Sequence, residues 1–245
     1  MTPNQAAKLK GKLQFVATHF AGWYGRSYLK PFTDRQHGAR GKRHDDDVAR
    51  AAGFWAYLLR SDARARSLQT AADARTDVLL FCDGCAPDPR HPTDGNDALR
   101  SGWVLFDLRD GRVFYGSHVP TTAEISHWEP RATQVIMTEA LAPVAAMSAM
   151  GNHVRGCRGL VLIDSEAAEG SFVKGYSPAR DVGAMAGLFW MLAVSNEFAP
   201  YIERVPTDGN PADAPSRVEA SLLDTCGAVF VPANHVTYTE DLYCA

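Results

Sequence analysis

No run of apolar residues in this chain approaches the roughly 18–20 that span a bilayer, so no membrane helix is expected. The opening stretch, MTPNQAAKLKGKLQF, lacks the apolar core of a secretory signal. Cysteine is scarce: Cys82, Cys85, Cys157, Cys226 and Cys244 are the five in 245 residues. An odd number without an export signal argues against a disulfide framework. It favours reduced thiols in an intracellular protein of the nucleus or cytoplasm. Cys82 and Cys85 form a CxxC, but no second pair stands at zinc-ribbon spacing, so they read as small buried side chains. No internal repeat is visible.

What the chain does have is an uneven charge. Residues 1–44 hold nine Lys/Arg against one acid, Asp34, for a net +8. The overall charge is −3, which leaves −11 on the rest. A basic segment on an acidic body suits a chain that holds a polyanion with one part and acts with the other. A solvated helix face beside a charged loop gives the same count. The length allows one large domain, or one domain with a small helical module.

Residues 3–33 read as helical, with Thr2-Pro3 as cap and first position and with Leu9, Leu13, Val16 and Phe20 at helical spacing. Gly22 and Gly25 interrupt the pattern, and RSYLKPF reads as a second short helix. RQHGARGKRHDDD reads as loop, and a further helix is expected from Asp47. From about residue 75 the pattern changes. DVLLFCDG, residues 77–84, is a strand buried on both faces. A polar insertion, residues 86–101, follows. Residues 102–119 form a hairpin around Asp110-Gly111. Residues 132–150 are helical, kinked at Pro143. GLVLID is a strand, two helices follow, and YIERVP is another strand. NPADAPSR then starts a last helix, with Asn210 as cap and Pro211 at its first position. Hairpin-linked strands followed by alternating strands and helices predict an α/β fold: a mixed sheet with helices on its faces.

Four carboxylates fall at element ends or on helix starts. Asp83 ends the first strand, Asp164 closes GLVLID, Glu139 lies in the long helix, and Asp213 lies in the first turn of the last. In a parallel-biased sheet the carboxyl ends of strands gather at one edge, where sites are built. Bare carboxylates crowded there would raise one another's pKa. Divalent metal between them resolves the conflict, and oxygen-only ligands suit Mg²⁺ or Mn²⁺. Each acid also has a structural explanation alone, as a turn former, a cap, a dipole partner or an exposed helix residue.

The order Asp, Glu, Asp, Asp on these elements resembles the ribonuclease H fold. VLIDSEAAEGSFVKGYSPARDVGAMAGLFWMLA, RVPTDGNPADAPSR and ATQVIMTEALAPVAAM are similar to the RNase H region of retroelement reverse transcriptases, the DIRS-like group in particular. LKGKLQFVATHFAGWYGRSYLKPF resembles the helical segment that joins polymerase to RNase H there. The resemblance implies three parts: a basic connection-like helical module at 1–70, an RNase H-like domain at 71–235, and a tail at 236–245. It implies that Asp83, Glu139, Asp164 and Asp213 are the metal-binding catalytic carboxylates, holding two Mg²⁺ with Mn²⁺ as substitute. The implied activity is hydrolysis of the RNA strand of an RNA–DNA hybrid, by water attack in line with the departing 3′ oxygen. Lys8, Lys12, Arg26, Lys30, Lys42 and Arg43 would grip the nucleic-acid backbone, with Lys174 and Arg217 as weaker contacts.

Two departures stand out. TDGNPADAPSR has no histidine before the last helix, where many RNases H carry one. There is no Tyr-x-Asp-Asp box and too little chain for a polymerase, so the chain reads either as a fragment of a longer polyprotein, with a polymerase domain or a larger assembly as partner, or as a domesticated remnant that stands alone. The alternative is a non-catalytic RNase H-like subunit that binds nucleic acid or serves as a scaffold. Another nuclease on the same fold fits the NPADAPSR box less well.

Overall fold

Strand β1 (Val78–Cys85) is central because its apolar run serves two faces at once. Val78, Leu80 and Cys82 are fully buried under helices, while Leu79 and Phe81 point to the other face and are half-buried. In this computed structural model, which describes residues 1–19, 24–60, 75–87 and 98–233, β1 pairs antiparallel with β2 (Arg100–Asp107) and parallel with β4 (Arg158–Ile163). Strand β2 turns through Asp110-Gly111 into β3 (Val113–His118). Gly111 has φ +77°, the left-handed value that a tight turn requires. Strand β5 (Ala199–Arg204) extends the sheet beside β4, and a two-residue β6 (Val229–Phe230) joins β3. The order is β5-β4-β1-β2-β3-β6. This is the mixed α/β sheet expected: three antiparallel strands, then strands parallel to the first.

Helix α5 (Val135–Val154) lies across β1, β2 and β3, with α7 (Arg180–Ser195) against it. Pro143 sits inside the continuous α5. The short α4 (Thr122–Ile125) precedes it, and α6 (Glu166–Lys174) follows β4. On the other face lie α8 (Asp213–Ser216) and α9 (Ser221–Thr225), over Val104 and Tyr115.

The N-terminal helices are α1 (Pro3–His19), α2 (Lys30–Gln36) and α3 (Lys42–Arg60). Helix α3 starts five residues before the expected Asp47. Its polar first turn is held by tertiary contacts: His44 is buried, and Asp45 pairs with Arg35 of α2. Phe32, Phe54, Trp55 and Leu58 belong to the same continuous core as α5 and α7. A Cβ on Gly187 of α7 would lie 2.3 Å from Ser27 Oγ, so the 3-10 turn Ser27–Leu29 that leads into α2 sits directly on α7. Among the described residues no helix is long and apolar enough to cross a membrane. Gly22, residues 61–70, most of the 86–101 insertion and the 236–245 tail lie outside the described residues.

Candidate metal centre

Asp83 lies near the end of β1, opposite Gly102 of β2. Two glycines let helices come down onto this spot. A Cβ on Gly84 would lie 2.1 Å from the Glu139 amide nitrogen, and one on Gly102 would lie 2.4 Å from the Ser216 nitrogen. Any side chain at either position would push a helix away. The fully buried Ser101 hydroxyl donates to the Thr138 carbonyl at 2.7 Å, which ties β2 to α5 one residue before Glu139.

On the other face, Asn210 fixes the NPADAPSR segment. Its Nδ2 donates to the Cys82 carbonyl at 2.9 Å, and its Oδ1 accepts from the Ala212 amide at 3.1 Å. The second bond spans two residues, an Asx turn, so Asn210 is not the helix cap expected from sequence. Helix α8 begins at Asp213, after Ala212, and lasts a single turn. The Ser216 hydroxyl reaches both Asp83 Oδ2 and the Asp213 carbonyl, and can donate to one at a time.

The fold brings three of the predicted carboxylates together. Asp83, Glu139 and Asp164 each present an oxygen within 4.8 Å of the others. Asp83 and Glu139 are buried, and Asp164, just past β4, is half-buried. Asp213 lies outside that trio, yet near enough for its charge to act on Asp83. Its carboxylate is 2.7 Å from the Arg217 guanidinium.

Crowding shows in the acidities. Burial pushes Glu139 up to about 9, helped by the charges of Asp164 and Asp83. Burial also raises Asp83; the Ser216 hydrogen bond opposes this, while Asp164 and Asp213 add to it. The Cys82 thiol is raised by burial, then by Glu139, Asp83 and Asp164, so it stays neutral and inert beneath the site. Glu139 Oε2 and Asp164 Oδ1 are buried without hydrogen-bond partners. Oxygen-only donors, mutual repulsion and orphaned oxygens are what a hard divalent cation would resolve, so the residues fit Mg²⁺ or Mn²⁺.

The predicted basic contacts are spread out. Lys8 and Lys12 are exposed on α1, and Lys42 and Lys174 are exposed at the start of α3 and the end of α6. Arg26 donates to the Lys174 carbonyl at 3.4 Å. Lys30 pairs with Asp34 at 2.9 Å, and Arg43 stands 3.9 Å from Glu129.

Sequence reasoning missed Ser101 and Ser216, and it missed a buried pair at the same end of the sheet. His118, opposite Ser101, lies 2.9 Å from Glu124 through Nε2. Burial pushes Glu124 up, but His118 and the Thr121 amide outweigh it and hold the carboxyl low. The capping-box spacing Thr121-x-x-Glu124 was a readable signal for α4.

No family model and no curated protein matches the chain. Solved structures similar to it include RNase H1 of Halobacterium salinarum, at 22% identity and TM-score 0.42, over 60% of this chain and 98% of that one. The N-terminal RNase H domain of a Mycobacterium tuberculosis protein gives 17% and 0.41, over 63% and 100%. A type 1 RNase H with the type 2 active-site motif gives 17% and 0.37, over 69% and 82%.

Proposed function

We propose that this chain is a metal-dependent ribonuclease H that hydrolyses the RNA strand of RNA–DNA hybrids. The observation that carries the reading is the trio Asp83, Glu139 and Asp164: three carboxylates from three elements within 4.8 Å, with two orphaned oxygens among them. In this reading the trio and Asp213 hold two Mg²⁺ ions, or Mn²⁺ in their place. Bound there, the ions would acidify a water and offset charge on the departing 3′ oxygen.

The chain's own residues do the rest. Ser216 steadies Asp83, and Asn210 keeps the segment bearing Asp213 against β1. On the buried face of α5, Glu139 holds a proton at neutral pH that metal binding must release. Selection of RNA over DNA requires contacts to 2′-hydroxyls. The basic residues 8–43, with Lys174 and Arg217, would meet the backbone phosphates in a salt-dependent way.

The motif resemblance supports a finer statement. The chain derives from, or is part of, a DIRS-like retroelement reverse transcriptase, with residues 1–70 as connection-like module, 71–235 as RNase H-like domain and 236–245 as tail. A polymerase domain or larger assembly is its partner, and it works inside the cell.

The test is cleavage of a labelled hybrid in Mg²⁺ and in Mn²⁺, with Asp83→Asn and Asp164→Asn alongside. Cutting of the RNA strand by wild type and by neither variant is expected. Hybrid binding without cutting in either metal would replace this reading with a non-catalytic scaffold.

A further inference from the structure

A second concave site lies away from the carboxylate trio. It is a cleft of about 590 Å³ between the N-terminal helices, the 126–130 segment and the start of α7. That volume is in the range of small-molecule sites, about 300–1,000 Å³. Its walls combine two chemistries. Tyr28, Pro31, Trp128 and Pro130 supply flat apolar surface, and Tyr28 is itself stacked on Phe54 with ring centroids 3.8 Å apart. Lys30, Arg43, Arg50 and Arg180 supply cations.

The acids in the same walls are already engaged. Asp34 holds Lys30 at 2.9 Å. Asp47 is shared between Arg50 and Arg180. Asp181 is held bidentately by Arg131, at 2.6 Å for each bond, and also accepts from the Glu129 amide. Glu129 faces Arg43 and Arg131 at 3.9 Å each. Four acids therefore meet five cations. Arg43 is the most loosely paired of the five, with its nearest carboxylate 3.9 Å away and its side chain 73% exposed. Burial lowers the Arg180 pKa, and the nearby charge of Arg43 lowers it further. An anion between the two guanidiniums would relieve that repulsion, and Arg suits phosphate through paired N–H donors.

We infer that this cleft binds a 5′-phosphorylated nucleoside, its base against the Tyr28 and Trp128 walls and its phosphate at Arg43 and Arg180. The Ser126 and Ser177 residues in the same walls offer polar surface for a ribose. The ligand has two sources: a free nucleotide, or the 5′-phosphorylated end of a strand. Only the second rests on the function proposed above, since loss of the 3′ oxygen leaves the phosphate on the downstream fragment's 5′ end.

Calorimetry on the full chain in EDTA tests this without metal chemistry. The probes are AMP, adenosine, and a short oligoadenylate with and without its 5′-phosphate. The phosphorylated probe should bind about tenfold or more tighter than its unphosphorylated counterpart. Arg43→Gln, at an exposed side chain, should remove about tenfold of that affinity, while Arg60→Gln on the same helix should not. AMP binding would identify a free nucleotide, and binding of the phosphorylated oligonucleotide alone would identify a strand end. A 5′-phosphate that adds nothing, or an Arg43→Gln protein that binds as wild type does, would overturn the assignment. Either result leaves hybrid cleavage, which needs the trio, to be judged on its own assay.

Discussion

Replacing Gly84 with alanine should displace α5 and pull the carboxylate trio apart. The new Cβ would lie 2.1 Å from the Glu139 nitrogen and 2.4 Å from the Thr138 carbonyl carbon, both backbone atoms. Ordinary contact starts at 3.4 Å, so the helix must withdraw by about 1.3 Å or β1 must bend as far. Neither gives easily. Helix α5 is buried along most of its length, and Ser101 ties Thr138 to β2. The cost should reach about 3 kcal/mol, the upper end of ordinary overpacking. A shift of about 1 Å in Glu139 relative to Asp83 and Asp164 should lower cleavage about 10²-fold. Urea denaturation in EDTA reads the first effect; Mn²⁺ titration and hybrid cleavage read the second. Gly53→Ala in α3 is the control. Nothing lies within 4 Å of its Cβ, and it should stabilise by up to about 1 kcal/mol. A Gly84→Ala protein within about 0.5 kcal/mol of wild type, with unchanged Mn²⁺ affinity, would refute the close approach.

Ser216→Ala removes a hydroxyl donor from Asp83, and Mn²⁺ affinity should fall about tenfold with little change in fold stability; calorimetry checks both. Glu139 is raised from 4.5 to about 9, so the metal-free protein should lose stability as pH rises between those values. Glu139→Gln should flatten that slope, and melting curves in EDTA decide it. The Arg109 hydrogen bond holds Asp107 below its usual range, so its stabilisation is present above pH 3.8 and lost as pH falls through the lower folded value. Arg109→Gln removes both guanidinium bonds from the fully buried Asp107 carboxylate, leaves it the backbone amide of residue 109, and should cost about 2 kcal/mol at neutral pH, a gap that closes in acid.

The elements with a local cause were the readable ones. Strand β1 announces itself because both of its faces are covered, and the hairpin because Asp110-Gly111 supplies a left-handed turn residue. Asp83, Glu139 and Asp164 were readable because strand ends and a long helix position them. What escaped was decided by distant partners. The first turn of α3 looks like loop until Arg35 of α2 meets Asp45 and Arg180 of α7 meets Asp47. Asn210 carries a cap signature, but its side chain is taken by a carbonyl 128 residues away. Gly84 and Gly102 look like ordinary strand glycines until α5 and α8 lie on them.

The four predicted carboxylates are not equivalent, and that inequality is testable. Arg217 stands 2.7 Å from Asp213 across one helical turn, so the charge of Asp213 already has a counter-ion. Arg217 also lowers the Asp83 pKa from further off, but the repulsion within the trio is relieved chiefly by the proton that burial and the two aspartates keep on Glu139. A metal ion arriving at the trio must displace that proton, and the Glu139 and Asp164 oxygens, which have no other donor as carboxylates, are then free to bind it. Asp164 supplies one of those oxygens directly. Asp213 acts from outside the trio and must first loosen from Arg217. Asp164→Asn should therefore abolish measurable Mn²⁺ binding, whereas Asp213→Asn should weaken it about tenfold. Arg217→Gln should restore part of any affinity that the ion pair withholds. If Asp213→Asn proved as damaging as Asp164→Asn in the same titration, Asp213 would have to reach the metal fully, and Arg217 would have to release it on binding.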